Sequence, residues 1–176
     1  SLSIACATIL YLYVAHEYSY DKFHEMSAST YRLIEPSEID GEVRLRATTA
    51  PPIGQALVDE FPDVIASTRM FVNGGHQDFV IDGERFMVRS YTYADSTFFD
   101  VFDFEVLYGD EATALSQPGA VAITRELANK FFGKADVVGE SLVSPTGQEL
   151  LVTLVMENIP ENSHLQYKLL MSIPYS

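Results

Sequence analysis

Hydrophobic residues follow three different patterns along this chain. The first fifteen residues, SLSIACATILYLYVA, form an apolar run without a single charged side chain. Two later stretches, PPIGQALVDEF and ITRELANKFF, repeat their apolar positions every three or four residues. This period predicts helices near Pro52–Phe61 and Thr124–Phe132. Thr124 is the predicted N-cap of the second helix and Gly133 its C-terminal stop.

The other apolar segments are short and are separated by turn residues, which indicates strands. Strand-like segments at Tyr31–Glu35 and Glu42–Thr48 flank Asp40-Gly41, a dipeptide typical of tight hairpins. Further turns are predicted at Asn73-Gly74-Gly75 and at Asp82-Gly83. Two more strands are predicted in QELLVTLVMENIP and LQYKLLMSIP. Because strands of this kind are mixed with short helices, the sequence predicts an α+β fold with a mixed-strand sheet.

The apolar run at the start admits two interpretations. It is shorter than the roughly 20 residues of a complete membrane span, so it is either a core helix or the outer end of a longer transmembrane helix. Tyrosine is enriched at membrane–water interfaces, because its ring is apolar and its hydroxyl is hydrated. Four tyrosines cluster where the run becomes polar, and we predict a membrane-interface position for them: Tyr11, Tyr13, Tyr18 and Tyr20.

No glycine or proline interrupts residues 2–25, so the sequence predicts one continuous helix from Leu2 to about Glu25. On such a helix Glu17, Asp21 and Glu25 share one face, which is expected to turn toward water. The first four turns are then expected to project from the folded body. The rival interpretation, a core helix, instead buries four residues against the chain's own strands: Ile4, Ile9, Leu10 and Leu12.

The charge balance argues against several classes of function. The chain has 176 residues, with 25 acidic and 11 basic side chains and a formal net charge of −14. Binding to nucleic acid depends on clustered Lys and Arg, so nucleic acid is not an expected partner. The same charge disfavours attachment to anionic lipid headgroups by electrostatics alone. One cysteine, Cys6, cannot form a disulfide within the chain.

No catalytic, cofactor-binding or metal-binding residue is predicted. The sequence has neither a phosphate-binding loop nor a dinucleotide-binding glycine pattern. Ser163-His164 lies in IPENSH, which is typical of a turn rather than of a nucleophile with its base. The histidines are scattered, with no pair at metal-ligand spacing on one helix: His16, His24, His76 and His164. One aromatic cluster is predicted to be core: Tyr91, Tyr93, Phe98, Phe99, Phe102, Phe104 and Tyr108.

Six segments occur in an order that resembles one protein family. They are HEYSYDKFHE, YRL, LVDEFPDV, YADSTFFDVFDFEVLYGD, ALSQPGAVAITRELANKFFGKADVVGESL and VMENIPENSHLQYKLLMS. The resemblance extends over nearly the whole chain from His16 to Ser172. With these segments the sequence resembles the MacB-like periplasmic core domain of ABC-transporter permeases, in the FtsX-related group.

The resemblance implies a domain boundary, a location and partners. Residues 1–15 would be the truncated outer end of the first transmembrane helix, and residues 16–176 the MacB-like periplasmic core domain, which is expected to continue past Ser176. The domain would lie on the periplasmic, extracytoplasmic side of the bacterial inner membrane. The implied partners are a separate ATP-binding subunit or domain, a second permease copy in a dimer, and membrane lipid.

The implied function is non-enzymatic. The domain would couple ATP-driven movement of the membrane helices to export or signalling outside the membrane. Two alternatives remain open. An extracytoplasmic module that binds a ligand or lipoprotein predicts a formed apolar pocket. An enzyme of unknown type predicts a cleft with neighbouring titratable groups of perturbed pKa.

Overall fold

The structure is a computed structural model, and it describes residues 2–39, 41–72 and 75–174. Its helices are α1 (Leu2–Glu17), α2 (Ile53–Glu60), α3 (Phe98–Val101) and α4 (Arg125–Phe132), with a 3₁₀ turn at Ser27–Ser29. The strands of the first half are β1 (Glu35–Ile39), β2 (Glu42–Arg46), β3 (Met70–Val72), β4 (Gln77–Ile81), β5 (Glu84–Val88) and β6 (Tyr91–Ala94). The strands of the second half are β7 (Val106–Gly109), β8 (Ala120–Thr124), β9 (Ser141–Val143), β10 (Glu149–Met156) and β11 (Leu169–Ser172).

Nine of these strands form one mixed sheet. Its order is β3-β6-β11-β8-β10-β9-β4-β5, and β7 pairs with β10 beside this path. The β6–β11 and β8–β10 pairs are parallel, whereas the other pairs are antiparallel. Strand β10 is long enough to pair with β9 through its first half and with β7 through its second half. The predicted α+β fold with mixed strands is therefore confirmed.

Strand β8 explains how the sheet divides the core into two parts. All five of its residues are buried, and successive side chains point to opposite faces. Val121 and Ile123 pack on one face with Leu127 and Phe131 of α4. Ala122 packs on the other face, in a cluster with the aromatic rings that surround α3. Both faces of the sheet centre are thus covered by the chain itself.

Helix α4 begins and ends where its sequence signals place it. The Thr124 hydroxyl accepts a hydrogen bond from the Leu127 amide at 3.4 Å, which caps the first turn. Gly133 follows the last turn with a left-handed φ of 71°, and its amide donates to the carbonyl of Asn129. Helix α2 lies within the range predicted for it.

Strands β1 and β2 form a separate two-stranded hairpin. The predicted hairpin exists, but its first strand is Glu35–Ile39 rather than Tyr31–Glu35. The reason is the short connection, because a two-residue turn sets Ile39 opposite Glu42 and thereby fixes the register of the whole pair. Asp40 of that turn lies outside the described residues, as do Asn73 and Gly74 of another predicted turn. The turn between β4 and β5 is present, with φ of 52° at Asp82 and 83° at Gly83.

The aromatic cluster is core in most of its members. Phe98 is 1% exposed and Phe99 8%, and Phe102 packs partly buried against them. The prediction is wrong for Tyr108, which is 39% exposed. Tyr108 lies in β7, at the border of the sheet, where the side chain can reach solvent.

Candidate functional site: the junction between the apolar helix and the sheet

Helix α1 has apolar side chains around its whole circumference, and none of its residues is buried. Leu2 is 82% exposed, Ile4 68% and Ile9 67%. The prediction that these turns project from the folded body is therefore confirmed, and the core-helix interpretation is wrong. Among the described residues, no helix combines the length and the apolar character that crossing a membrane requires.

The helix ends earlier than the sequence predicts. Its last residue is Glu17. The Ser19 hydroxyl then donates a hydrogen bond to the carbonyl of His16 at 2.6 Å. Asp21 then has a left-handed φ of 54°, a conformation incompatible with a continuing right-handed helix. The predicted helix to Glu25 is consequently wrong, and so is the predicted acidic face of Glu17, Asp21 and Glu25.

Asp21 adopts this conformation because a distant loop binds it. Its amide donates to the carbonyl of Asn162 at 3.0 Å. One carboxylate oxygen accepts from the Ser163 hydroxyl at 3.1 Å and from the His164 amide at 3.0 Å. The other accepts from Nδ1 of the His164 ring at 2.6 Å. Residues 18–25, which we call the junction, are therefore fastened to the loop that precedes β11.

The charge state of Asp21 follows from these contacts. Partial burial raises the pKa of its carboxyl, but the hydrogen bonds from His164 and Ser163 outweigh that effect, so the pKa lies below its ordinary value. The carboxylate is thus ionised at neutral pH and accepts all three hydrogen bonds.

A second attachment lies three to four residues further on, at His24 and Glu25. The Asp103 amide donates to Nδ1 of His24 at 3.0 Å, and the Asp103 carboxylate accepts from the Glu25 amide at 2.8 Å. The His24 ring is 5% exposed and lies edge-on to Phe102 and Phe104. Together with Asp21, this contact gives the junction two fixed points on the sheet domain.

His24 is held as a neutral ring. Burial lowers its pKa, although the nearby carboxylates of Asp103 and Asp21 act in the opposite direction. Because Nδ1 accepts a hydrogen bond, the ring proton of the neutral form resides on Nε2. Within the described structure, Nε2 is buried without a partner. A second proton on this ring would remove the acceptor that the Asp103 amide uses.

The four tyrosines predicted at a membrane interface occupy two different environments. Tyr11, Tyr13 and Tyr18 are 71%, 63% and 71% exposed. The Lys22 ammonium lies 5.7 Å from the centre of the Tyr18 ring. Tyr20 is half-buried, because its ring packs against His164 with a centroid distance of 4.8 Å. The structure thus brings Tyr20 into the junction, and the membrane-interface role of all four stays a prediction.

Asp21, Ser163 and His164 have the composition of a hydrolytic triad but not its arrangement. In a triad the histidine takes the proton of the serine hydroxyl. Here both the serine and the histidine donate to the carboxylate, so no base is directed at the hydroxyl. Ser163 is also buried. Among residues 2–39, 41–72 and 75–174, no group of three or more His, Cys, Asp or Glu side chains is placed to hold a metal ion.

Sequence reasoning missed the residues that fasten the junction. It identified IPENSH as a turn, which is correct for Ser163 and His164, but gave the turn no partner. No sequence pattern identified Asp103 as a contact of the junction. A local signal existed at Asp21, since aspartate is one of the few non-glycine residues that tolerate a left-handed φ. No local signal connects it to a loop that begins 141 positions later, at Asn162.

Comparison with known proteins identifies a family model and solved structures that match this fold. A family model described as the MacB-like periplasmic core domain matches residues 1–176. A domain assigned to a permease of Porphyromonas gingivalis is 24% identical with a TM-score of 0.66, over 77% of this chain and 57% of that chain. The periplasmic region of MacB from Actinobacillus actinomycetemcomitans is 14% identical with a TM-score of 0.50, over 69% and 53%. The comparison with curated proteins finds no match.

The solved structures and the family model support different conclusions. Both solved structures are less than 25% identical to the chain, so they establish a shared fold. The alignments span little more than half of either structure's length. The family model, in contrast, extends over the complete sequence. The chain therefore belongs to the MacB-like periplasmic core domain family, the extracytoplasmic domains of MacB- and FtsX-like ABC-transporter permeases.

Proposed function

We propose that this domain is non-enzymatic and couples ATP-driven movement of membrane helices to export or signalling outside the membrane. The observation that carries the proposal is the two-point attachment of the junction to the sheet domain. Asp21 is bound to residues 162–164, and His24 and Glu25 are bound to Asp103. A displacement of α1 is in this way passed to the domain instead of being absorbed by a flexible linker.

The proposal also assigns a location and partners. Residues 1–15 belong to a membrane helix, and residues 16–176 lie on the periplasmic side of a bacterial inner membrane. The exposed apolar surface of α1 supports contact with lipid, because a helix that is apolar on every side is normally buried or in a membrane. A separate ATP-binding subunit or domain supplies the energy, and a second permease copy completes the transporter.

The alternative, a module that binds a ligand or lipoprotein through an apolar pocket, has weaker support. Ligand pockets usually enclose about 300–1,000 Å³ and are mainly apolar. One cleft of the described structure has a volume of about 90 Å³. Another, of about 330 Å³, is an open groove with the charged residues Arg89, Glu126, Lys130 and Lys168 along it.

Coupling can be tested in the intact permease with its ATP-binding partner in lipid nanodiscs. A spin label at Glu111→Cys, an exposed position, in a Cys6→Ala background reports the distance between two permease copies. We expect the ATP-dependent distance change to shrink at least twofold in Asp21→Ala, because the first attachment is lost. ATP hydrolysis should continue, since the proposal places ATP binding on the separate subunit or domain.

Asp63→Ala is the matched control. Asp63 is exposed and takes part in none of the hydrogen bonds that bind the junction, so its removal should leave the distance change intact. An undiminished distance change in Asp21→Ala would contradict the coupling role of the junction. Equal losses in both variants would show that the effect is not specific to the attachment.

A further inference from the structure

Strand β5 lies at one end of the nine-stranded sheet, and only one of its two edges is paired. All five of its residues pair with β4 in antiparallel register. Among the described strands, none pairs with its other edge. A free edge of this kind presents backbone N–H and C=O groups on which another extended chain can form a strand.

The register of the β4–β5 hairpin identifies the free backbone groups. A two-residue turn joins the strands, so Ile81 and Glu84 exchange both of their hydrogen bonds. The direction of these groups alternates along an antiparallel strand, and the N–H and C=O groups of Arg85 and Met87 therefore point away from β4. In the part of the chain that the structure describes, neither N–H has another backbone partner. Both side chains are exposed, so neither covers the edge.

An open groove runs along this edge. Four consecutive residues, 87–90, line it on one side. Because successive side chains of a strand point to opposite faces, a groove that touches consecutive residues follows the backbone itself. No residue of β4 lines it, which places it on the free edge of β5. Helix α4 forms the opposite wall with Leu127 and Lys130, and it is held beside β5 by the contact of Phe131 with Phe86 at a centroid distance of 5.2 Å.

The groove is positively charged, although the chain as a whole has a net charge of −14. Its ionisable residues are Arg89, Lys130, Lys168 and Glu126. The Lys168 ammonium lies 2.7 Å from both carboxylate oxygens of Glu126, so these two charges offset each other. Arg89 and Lys130 are exposed and retain their positive charges for a ligand. At physiological ionic strength, exposed charges more than about 8 Å apart are largely screened, so the side chains along the groove determine its local preference.

The backbone groups and the charges together specify the occupant. Free N–H and C=O groups along a sheet edge match an extended polypeptide, and the basic side chains match an acidic one. A second copy of β5 is less suitable, because residues 84–89 contain two arginines and one glutamate and would add positive charge to the groove.

We propose that an extended acidic segment of a partner protein adds to the sheet as a strand beside β5. Its backbone exchanges hydrogen bonds with Arg85 and Met87. Carboxylates on its alternate residues, which point toward α4, contact Arg89 and Lys130. None of these residues belongs to the junction, so the proposal does not depend on the coupling function.

The test uses the full chain in uncharged detergent micelles and measures the binding of labelled, capped pentapeptides by fluorescence polarisation. The probes are Glu-Val-Glu-Val-Glu, its neutral counterpart Gln-Val-Gln-Val-Gln, and the acidic peptide N-methylated at every backbone nitrogen. The acidic peptide should bind about tenfold more tightly than either of the others, because one lacks the charges and the other lacks the backbone donors. Hydrogen exchange at the amides of Arg85 and Met87 should slow when the acidic peptide is bound.

Two variants test the residues named. Met87→Pro removes a free donor, and proline is tolerated on an edge strand where the N–H faces solvent, so the thermal transition should remain while binding weakens about fivefold. Met87→Ala is its control, since it shortens the same side chain and keeps the N–H. Arg89→Gln should weaken binding about threefold, and this readout remains should Met87→Pro fail to fold. Arg46→Gln, at an exposed position of the β1–β2 hairpin, should leave binding unchanged.

Each contrary result overturns a defined part of the proposal. Absence of binding, or protection scattered over the surface, would show that the edge takes no strand. Equal binding of the neutral peptide would refute the selection of acidic segments. Equal binding of the N-methylated peptide would show that the groove attracts charge without forming a strand. Protection of the β5 amides that rises with protein concentration, without peptide, would assign the edge to a second copy of the chain.

Discussion

Substitutions at Asp21 separate two contributions to the stability of the junction: the hydrogen bonds to its carboxylate and the strain of its left-handed backbone. Asp21→Asn keeps the shape and a tolerance for left-handed φ, but it removes the negative charge. Asp21→Gly removes the carboxylate and relieves the backbone. Asp21→Ala removes the carboxylate and also places a Cβ in a conformation that L-residues disfavour at φ 54°.

The magnitudes follow from the contacts of the carboxylate. It accepts three hydrogen bonds and is 33% exposed, so each is worth less than the 1.5–3 kcal/mol typical of buried bonds to charged groups. We take about 2 kcal/mol for the three together. An alanine at this φ adds about 1 kcal/mol of strain. The expected losses of folding free energy are therefore about 3 kcal/mol for Ala, 2 for Gly and 1 for Asn.

Asp82 provides the matched control. Its φ of 52° is almost the same, but it lies in the exposed turn between β4 and β5, away from the junction. Asp82→Ala should cost only the strain of about 1 kcal/mol, and Asp82→Gly close to nothing. Urea denaturation in detergent gives the free energies, and hydrogen exchange at the Asp21 amide reports local release. Should Asp21→Ala cost no more than Asp82→Ala, the hydrogen bonds of the junction would contribute nothing.

Four further predictions concern the core, a strand glycine, a histidine and the apolar helix. Phe98→Ala should lower the free energy of unfolding by about 3–5 kcal/mol in urea denaturation, because the ring is buried. Gly109→Ala should lower the melting temperature by several degrees more than Gly139→Ala: both have positive φ, but only at Gly109 would the new Cβ collide with the backbone of β10. The pKa of His24 is lowered in the folded state, so its contribution to stability is complete above about pH 6.5 and is lost as the pH falls through the folded-state pKa. His24→Asn retains a hydrogen-bond acceptor but does not titrate, so it should flatten the profile of folding stability between about pH 7 and 5. Deletion of residues 1–15 should leave the thermal transition of the remaining chain unchanged and raise its solubility, because no residue of α1 is buried.

Local signals made part of this fold predictable. Helix α4 has a cap, an amphipathic period and a terminal glycine within ten residues, and each signal acts on its immediate neighbours. Strand β10 could be predicted because its apolar run is long and is bounded by turn residues. The position of β1 could not, since the residues of Tyr31–Glu35 suit a strand better than those of Glu35–Ile39, which include Pro36. Only pairing with β2 decides between them.

The junction shows where such reasoning fails. Residues 18–25 contain no helix breaker, so local propensity predicts a helix through them. The observed chain turns because Asp21 gains hydrogen bonds from His164, which is 143 residues away in the sequence. Propensity differences of a few tenths of a kcal/mol per residue are easily outweighed by three bonds to a carboxylate. The burial of His24 depends in the same way on Asp103, a contact across 79 residues.

The position of β11 in the sheet determines how this domain would respond to mechanical load. The loop fastened to Asp21 leads directly into β11, and β11 lies between β6 and β8 rather than at an edge of the sheet. A pull on α1 therefore reaches an interior strand of the sheet. Because β11 is paired on both sides, the hydrogen bonds to two neighbouring strands oppose its displacement, whereas an edge strand would be held by one neighbour alone. The domain is accordingly suited to remain folded under tension applied through its helix, while the β1–β2 hairpin, which is paired with neither strand, stays outside the path of that tension.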